Sequence, residues 1–332
     1  MKVLFIGGTG TISTSSSTLA VQRGIELWLL NRGKRGIDIP GTKTIKADIN
    51  NETEARKVLN DMHFDAVVNW IAFTPDQIER DIRLFSGKVN QYIFISSSSV
   101  YQKPAAHYII TESTPLVNPY WEYSRNKIAC EERLMKEYRE NGFPFTTVRP
   151  SLTYNDRLIP LVINSWSKSY TVIDRMKKGK KILIPGDGNS LWTITHADDF
   201  AKGFLGLLGN RQSIGHAFHI TSDEVLTWNQ FYEEAARAVG AKAEIVHIPS
   251  DTIVKFCPWE QGSLHGDKSV SCVFDNRKIK CFVPDFTATI TWAQGIRRTL
   301  EWFQADKSRM QIDDDANKLW DRMIAAWEKI SA

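Results

Sequence analysis

A tyrosine and a lysine four positions apart, in Tyr123-Ser124-Arg125-Asn126-Lys127, are the residues of this chain best suited to moving a proton. On a helix this spacing puts both side chains on one face. A free phenol, with a pKa near ~10, is a poor base at neutral pH. A lysine ammonium and an adjacent cofactor cation both favour the phenolate. Such a tyrosine exchanges a proton with a substrate hydroxyl while a hydride leaves or joins the same carbon. Upstream, the apolar run Tyr92–Ile95 ends in Ser96-Ser97-Ser98-Ser99-Val100-Tyr101, and a serine hydroxyl there would hold the same substrate oxygen. A tyrosine–lysine pair alone is equally a surface helix pair; its conjunction with the serine-rich strand end and a glycine-rich turn is what points to catalysis.

That turn is Gly7-Gly8-Thr9-Gly10-Thr11-Ile12-Ser13, directly after the apolar run Val3–Ile6. A strand, then glycines, then a helix start suits a dinucleotide pyrophosphate. Glycines let backbone N–H groups approach the phosphates, and the helix N-terminus adds a favourable dipole. Ser13 stands where the usual third glycine would be; serine is small enough to preserve close helix–strand packing. The second strand-like run ends at Leu30-Asn31-Arg32 with no acid for the ribose hydroxyls of NAD, and Arg32 could instead pair with the extra phosphate of NADP. An exposed surface arginine is the plainer alternative; of the two cofactors, NADP or NAD, the reading favours NADP. Asp48 could meet the adenine amino group, or serve as a helix-cap or turn residue.

These residues need a scaffold. Apolar runs at Glu26–Leu30, Ala66–Asn69, Tyr92–Ser96 and Phe145–Val148 alternate with helical spacing at Glu52–Leu59 and Ile78–Phe85. Short apolar runs fit strands buried on both faces, and alternation with helices implies right-handed crossovers. The expected fold class is α/β: a Rossmann-like doubly wound parallel sheet with a smaller C-terminal substrate-binding lobe. We expect residues 1–155, with parts of 190–220, to form the NAD(P)-binding domain, and residues 156–332 mainly the lobe. Helices are expected near Asp198–Leu208, Trp228–Val239, Trp292–Phe303 and Asp315–Ile330, and Trp192, Trp228, Trp259 and Trp292 are assigned to the lobe core.

The 332 residues can bury a large core, and 42% hydrophobic with 24% charged residues is an ordinary globular composition. A formal net charge of +4 is too mild to argue for nucleic acid. The basic run Arg175–Lys181 is read as a solvated loop face. Cys130, Cys257, Cys272 and Cys281 lack Cys-x-x-Cys or zinc-ligand spacing and read as reduced thiols of a cytoplasmic protein. No apolar stretch has the length of a membrane span, and the first residues lack a signal-peptide pattern. His196, before Asp198-Asp199, reads as a helix-capping residue rather than a metal ligand, and no metal site is expected.

These motifs together resemble the extended short-chain dehydrogenase/reductase family, which includes the NAD-dependent epimerases and dehydratases. The resemblance runs from Met1 to about Phe303. It assigns Ser97 as the catalytic hydroxyl three residues before the Val-Tyr pair, Tyr123 as the acid/base and Lys127 as its partner. Arg149-Pro150-Ser151-Leu152-Thr153-Tyr154 resembles the segment beside the nicotinamide, and Trp192–Asp199, Phe274–Lys278 and Gly295–Trp302 resemble later family segments. The implied cofactor set is Gly7, Thr9, Gly10, Thr11, Ile12, Asn31, Arg32, Asp48, Ile49, Tyr123, Lys127, Pro150 and Leu152. Ser13, Gln102 and Asn155 each replace a family glycine and place the chain among divergent members.

The family implies a hydroxyl-bearing substrate carbon, with a nucleotide sugar as the small-molecule partner and a homodimer through the helix of Tyr123. Dehydratases of this type carry an Asp–Glu pair beside the catalytic serine; Ser98-Ser99 occupy that place, which disfavours dehydration and leaves epimerase and reductase chemistry. The competing class is a catalytically reduced NAD(P)-binding regulator or RNA-associated protein, as some divergent relatives of chloroplasts are. The intact Ser97, Tyr123 and Lys127 and the lack of a basic stripe with exposed aromatics favour the enzyme.

Overall fold

The computed structural model describes residues 1–33 and 36–331. Its centre is one parallel sheet of seven strands: β1 (Lys2–Ile6), β2 (Glu26–Asn31), β3 (Lys43–Lys46), β4 (Ala66–Asn69), β5 (Tyr92–Ile95), β6 (Phe145–Pro150) and β7 (Ala217–Ile220). They lie in the order β7-β6-β5-β4-β1-β2-β3. β1 pairs with β2 on one side and β4 on the other, so Ile6 stands level with both Leu30 and Asn69. The chain reverses its direction of travel across the sheet at this point, which opens a crevice at the carboxyl ends of the strands.

The apolar runs fit this position because side chains alternate between two cores. Val3 and Phe5 pack on one face with Phe200 and Phe204; Leu4 and Ile6 pack on the other with Ile78 and Leu134. The first face is covered by α1 (Thr11–Gln22) and α5 (Ala197–Leu207), the second by α2 (Glu52–Leu59), α3 (Pro75–Phe85) and α4 (Glu122–Asn141). α3 begins a turn earlier than the spacing from Ile78 suggests. Pro75 is preset for a first helical position, and Gln77 Oε1 accepts the Phe73 and Thr74 N–H groups at 2.6 and 3.3 Å.

The second half builds its own core around three fully buried tryptophans, Trp192, Trp228 and Trp292. α6 (Trp228–Ala238), α7 (Trp292–Gln304) and α8 (Asp314–Ser331) match the helices read from the sequence to within a residue or two. Trp259 does not join this core: it lies on a short 3-10 turn and is 69% exposed. The basic run also differs from its reading. Arg175 is 2% exposed, because helix Thr171–Lys177 folds back on its following strand and α8. Its guanidinium donates to Lys181 O, Asn317 Oδ1 and Asp321 Oδ1.

Candidate active site

The carboxyl edge of the sheet opens on a cleft of about 980 Å³, at the upper end of small-ligand sites. The glycine-rich turn forms its floor. Gly7 and Gly8 have φ of 97° and 91°, a region that L side chains avoid. A Cβ on Gly8 would come within 2.7 Å of Leu29 Cδ2, and one on Gly7 within 3.2 Å of Ile71 Cγ2. Thr9, Gly10, Thr11 and Ile12 continue the floor into the first turn of α1, which carries no acidic residue to compete with an anion. Ser13 does more than replace a glycine. It is buried, and its Oγ accepts the Gly10 N–H at 2.7 Å, which closes the turn from inside.

At the far end stand Asn31, Arg32, Asp48 and Ile49. Asn31 Oδ1 accepts the Gly33 N–H at 2.8 Å and Asp48 Oδ1 the Asn50 N–H at 3.0 Å, so both side chains shape their own turns. The cap of α2 is Asn51, whose side chain accepts from Glu54 N, and Asp48 is a turn residue on the cleft wall. Arg32 is exposed, with its guanidinium 3.8 Å from the Asp48 carboxylate. This cradle fits a dinucleotide: close backbone approach, a helix N-terminus free of acids, and an exposed cation at the far end.

The residues expected from the sequence to move a proton meet at the other end. Ser97, Tyr123, Lys127 and Pro150 all line the cleft. Tyr123 sits half-buried in the first turn of α4, between the rings of Trp121 at 5.0 Å and Phe73 at 6.3 Å. Burial raises its pKa, a hydrogen bond from Ser97 pulls the other way, and the Asp267 charge adds a small rise. Lys127, one turn on, is 1% exposed and donates to the Ala72 and Ile95 carbonyls, both at 2.7 Å. Burial drives its pKa down to about 7, against the pull of Cys130 and Glu131. Its Nζ stands 5.7 Å from the centre of the Tyr123 ring.

Leu152 is the one cofactor candidate that the cleft does not include. It pairs with Ile194 and packs against the second-half core, because the chain turns away from the sheet after Pro150; Ser151 lines the cleft instead. The sequence reading also missed Trp70, Ile71 and Phe73, which form a wall after β4. Their signal was present as apolar residues beyond the end of a buried strand, but nothing local says that they face a ligand. Asn155, in a family glycine position, donates from Nδ2 to Thr11 O at 3.1 Å and ties the second half to the start of α1. His196 caps α5: its Nδ1 accepts the Asp198 N–H at 3.2 Å.

A model of the NAD dependent epimerase/dehydratase family matches residues 3–221. The chain is 27% identical over 261 residues to the chloroplast stem-loop binding protein of 41 kDa b of Arabidopsis thaliana, covering 74% of this chain and 65% of that one. It is 27% identical over 168 residues to a UDP-glucose 4-epimerase of Lactobacillus helveticus, covering 45% of this chain and 51% of that one. The chain thus spans about half to two thirds of these relatives. In structure it resembles a dTDP-glucose 4,6-dehydratase of Bacillus anthracis in complex with NAD, with a TM-score of 0.72, 19% identity, and 93% and 98% of the two chains covered. No helix among the described residues is long and apolar enough to cross a membrane.

Proposed function

The chain belongs to the NAD dependent epimerase/dehydratase family, and from that premise we propose that it oxidises or epimerises a hydroxyl-bearing carbon of a nucleotide sugar with NADP or NAD. The observation that carries this reading is the convergence of Ser97, Tyr123 and Lys127 on the cleft that the glycine-rich turn floors. The nicotinamide, when bound, supplies the hydride acceptor and donor. Tyr123 takes the hydroxyl proton as the carbon is oxidised and returns it on reduction. Ser97 donates to the same oxygen and stabilises charge there. Lys127 holds α4 against the strand ends, and in its protonated form, which burial confines to pH values up to about 7, its charge favours the Tyr123 phenolate. With Ser98 and Ser99 beside Ser97 in place of an acid pair, epimerase or reductase chemistry fits better than dehydration. The second half supplies the substrate side.

Calorimetric titration with NADP+ and NAD+, on wild type and Arg32→Ala, tests the cofactor site. We expect NADP+ to bind more tightly, and Arg32→Ala to cost it about tenfold, the worth of one charge-assisted hydrogen bond. Sugar nucleotides then follow as substrates, with Tyr123→Phe expected to lose about 100-fold or more in turnover. Binding of neither dinucleotide would overturn the enzyme reading. It would bring forward the second reading, an RNA-associated protein, which rests on the likeness to the chloroplast stem-loop binding protein.

A further inference from the structure

Three hydroxyls run in line from the interior of α4 to the cleft. Ser124 Oγ donates to Ser99 Oγ at 2.7 Å, and Ser99 Oγ lies 3.0 Å from Ser97 Oγ. The Ser99 backbone N–H also donates to Ser97 Oγ, at 3.2 Å. Ser124 and Ser99 are 0% and 1% exposed, so neither proton can turn to solvent. A buried hydroxyl needs an acceptor, and the direction of the chain follows. Ser124 gives its proton to Ser99, and the oxygen left for the Ser99 proton is Ser97 Oγ. A serine hydroxyl has one proton and two lone pairs. Both lone pairs of Ser97 are then engaged by Ser99, and its own proton is what it presents to the cleft that Tyr123 also lines.

The backbone around Ser99 is braced to keep this register. Asn118 Nδ2 donates to Ser99 O at 2.8 Å and to Gly266 O at 2.6 Å. Asn118 Oδ1 accepts the Tyr120 and Trp121 N–H groups, both at 3.2 Å, just before Tyr123. One buried amide therefore links the turn of Ser99 to the start of the helix that carries Ser124 and Tyr123.

We propose that Ser99 and Ser124 are positioning residues that make Ser97 an obligate hydrogen-bond donor. Ser97 then serves oxygens that accept, such as a substrate carbonyl, an alkoxide or the Tyr123 phenolate, and takes no proton from the substrate itself. The inference rests on the reading that Ser97 and Tyr123 face the reacting oxygen. It also gives the stretch Ser98-Ser99 a role: Ser99 aligns the neighbouring catalytic serine.

The test reads Tyr123 in the free protein, without cofactor or substrate, so its outcome is independent of the dinucleotide titration. Alkaline difference absorption between each protein and its own Tyr123→Phe counterpart isolates the Tyr123 ionisation. The groups that face Tyr123 are Lys127 on its own helix, Asp267 from the opposing segment and Ser97 from the end of β5. Lys127 is already neutral in this range. We expect Ser97→Ala to weaken phenolate formation by about 3- to 10-fold, since a lost donor disfavours the charged form. Ser99→Ala should follow it, Ser124→Ala should shift in the same direction by less, and Ser124→Thr should restore the wild-type midpoint. At neutral pH the Cζ resonance of isotopically labelled Tyr123 reads the same bond without deprotonation and should move together in Ser97→Ala and Ser99→Ala. A response to Ser97→Ala with none to Ser99→Ala or Ser124→Ala would overturn the alignment, and no response to Ser97→Ala would overturn the donation.

Discussion

Lys127 donates from Nζ to the carbonyl of Ile95 at 2.7 Å, which ties the helix of Tyr123 to the strand end that leads into Ser97. The second bond, to Ala72 O, ties the same helix to the segment after β4. A single buried ammonium therefore sets the distance between three parts of the cleft wall. Its burial is also why its charge is easily lost.

That burial gives a pH dependence with a defined sign. The pKa of Lys127 is held down to about 7 in the folded protein, against ~10.4 in an unfolded chain. Between those values the unfolded state binds more protons, so this contribution to stability grows as pH rises and is lost as pH falls toward 7. In urea titrations from about pH 7 to about pH 9.5, wild type should gain on Lys127→Met by up to ~1.4 kcal/mol per pH unit. A pH-independent difference between the two proteins would contradict a depressed Lys127.

Gly8 and Gly24 separate backbone strain from steric clash. Both have positive φ, 91° and 73°, but a Cβ at Gly24 meets nothing within 4 Å while one at Gly8 meets Leu29 Cδ2 at 2.7 Å. Each alanine substitution should cost about 1 kcal/mol from strain, and Gly8→Ala should cost more by the repacking of Leu29. Denaturant midpoints measured side by side decide it, and equal losses would mean that the turn relaxes around the new methyl.

Gly295 on α7 lies against Tyr154, and a Cβ there would fall 1.7 Å from the phenol oxygen and 2.8 Å from Cζ. Gly295→Ala should therefore destabilise by about 1–3 kcal/mol, although an alanine favours the helix. Tyr154→Phe removes the nearer atom, so the double variant should recover part of the loss. Thermal melts of the four proteins close the cycle, and strict additivity would show that the two residues are not in contact.

Arg175→Ala should loosen the C-terminal helix. The substitution removes a buried guanidinium that bonds Asn317 and Asp321 of α8, a loss of about 2–3 kcal/mol. Hydrogen exchange should rise across Asp314–Ser331 and leave the central sheet unchanged. Unchanged protection of that helix would place its anchorage elsewhere.

Much of this molecule was determined by the sequence alone, wherever the signal is local. The apolar runs Val3–Ile6 and Ala66–Asn69 specify strands because strands buried on both faces need unbroken hydrophobic residues. The Tyr123–Lys127 spacing specifies a shared helix face, and the glycines of the first turn specify a backbone that other residues avoid. Tertiary structure decided what depends on distant partners. Leu152 left the cleft because the chain turns toward Ile194 after Pro150, and Arg175 is buried because α8 returns to cover it. Trp70, Ile71 and Phe73 became a wall because the strand order places β4 beside β1. Even the serine chain is legible only as a cluster of hydroxyls until α4 brings Ser124 against Ser99. Hydrogen-bond direction is set by which groups are sealed from water together, and contacts between residues 25 positions apart are fixed by packing rather than by any local pattern.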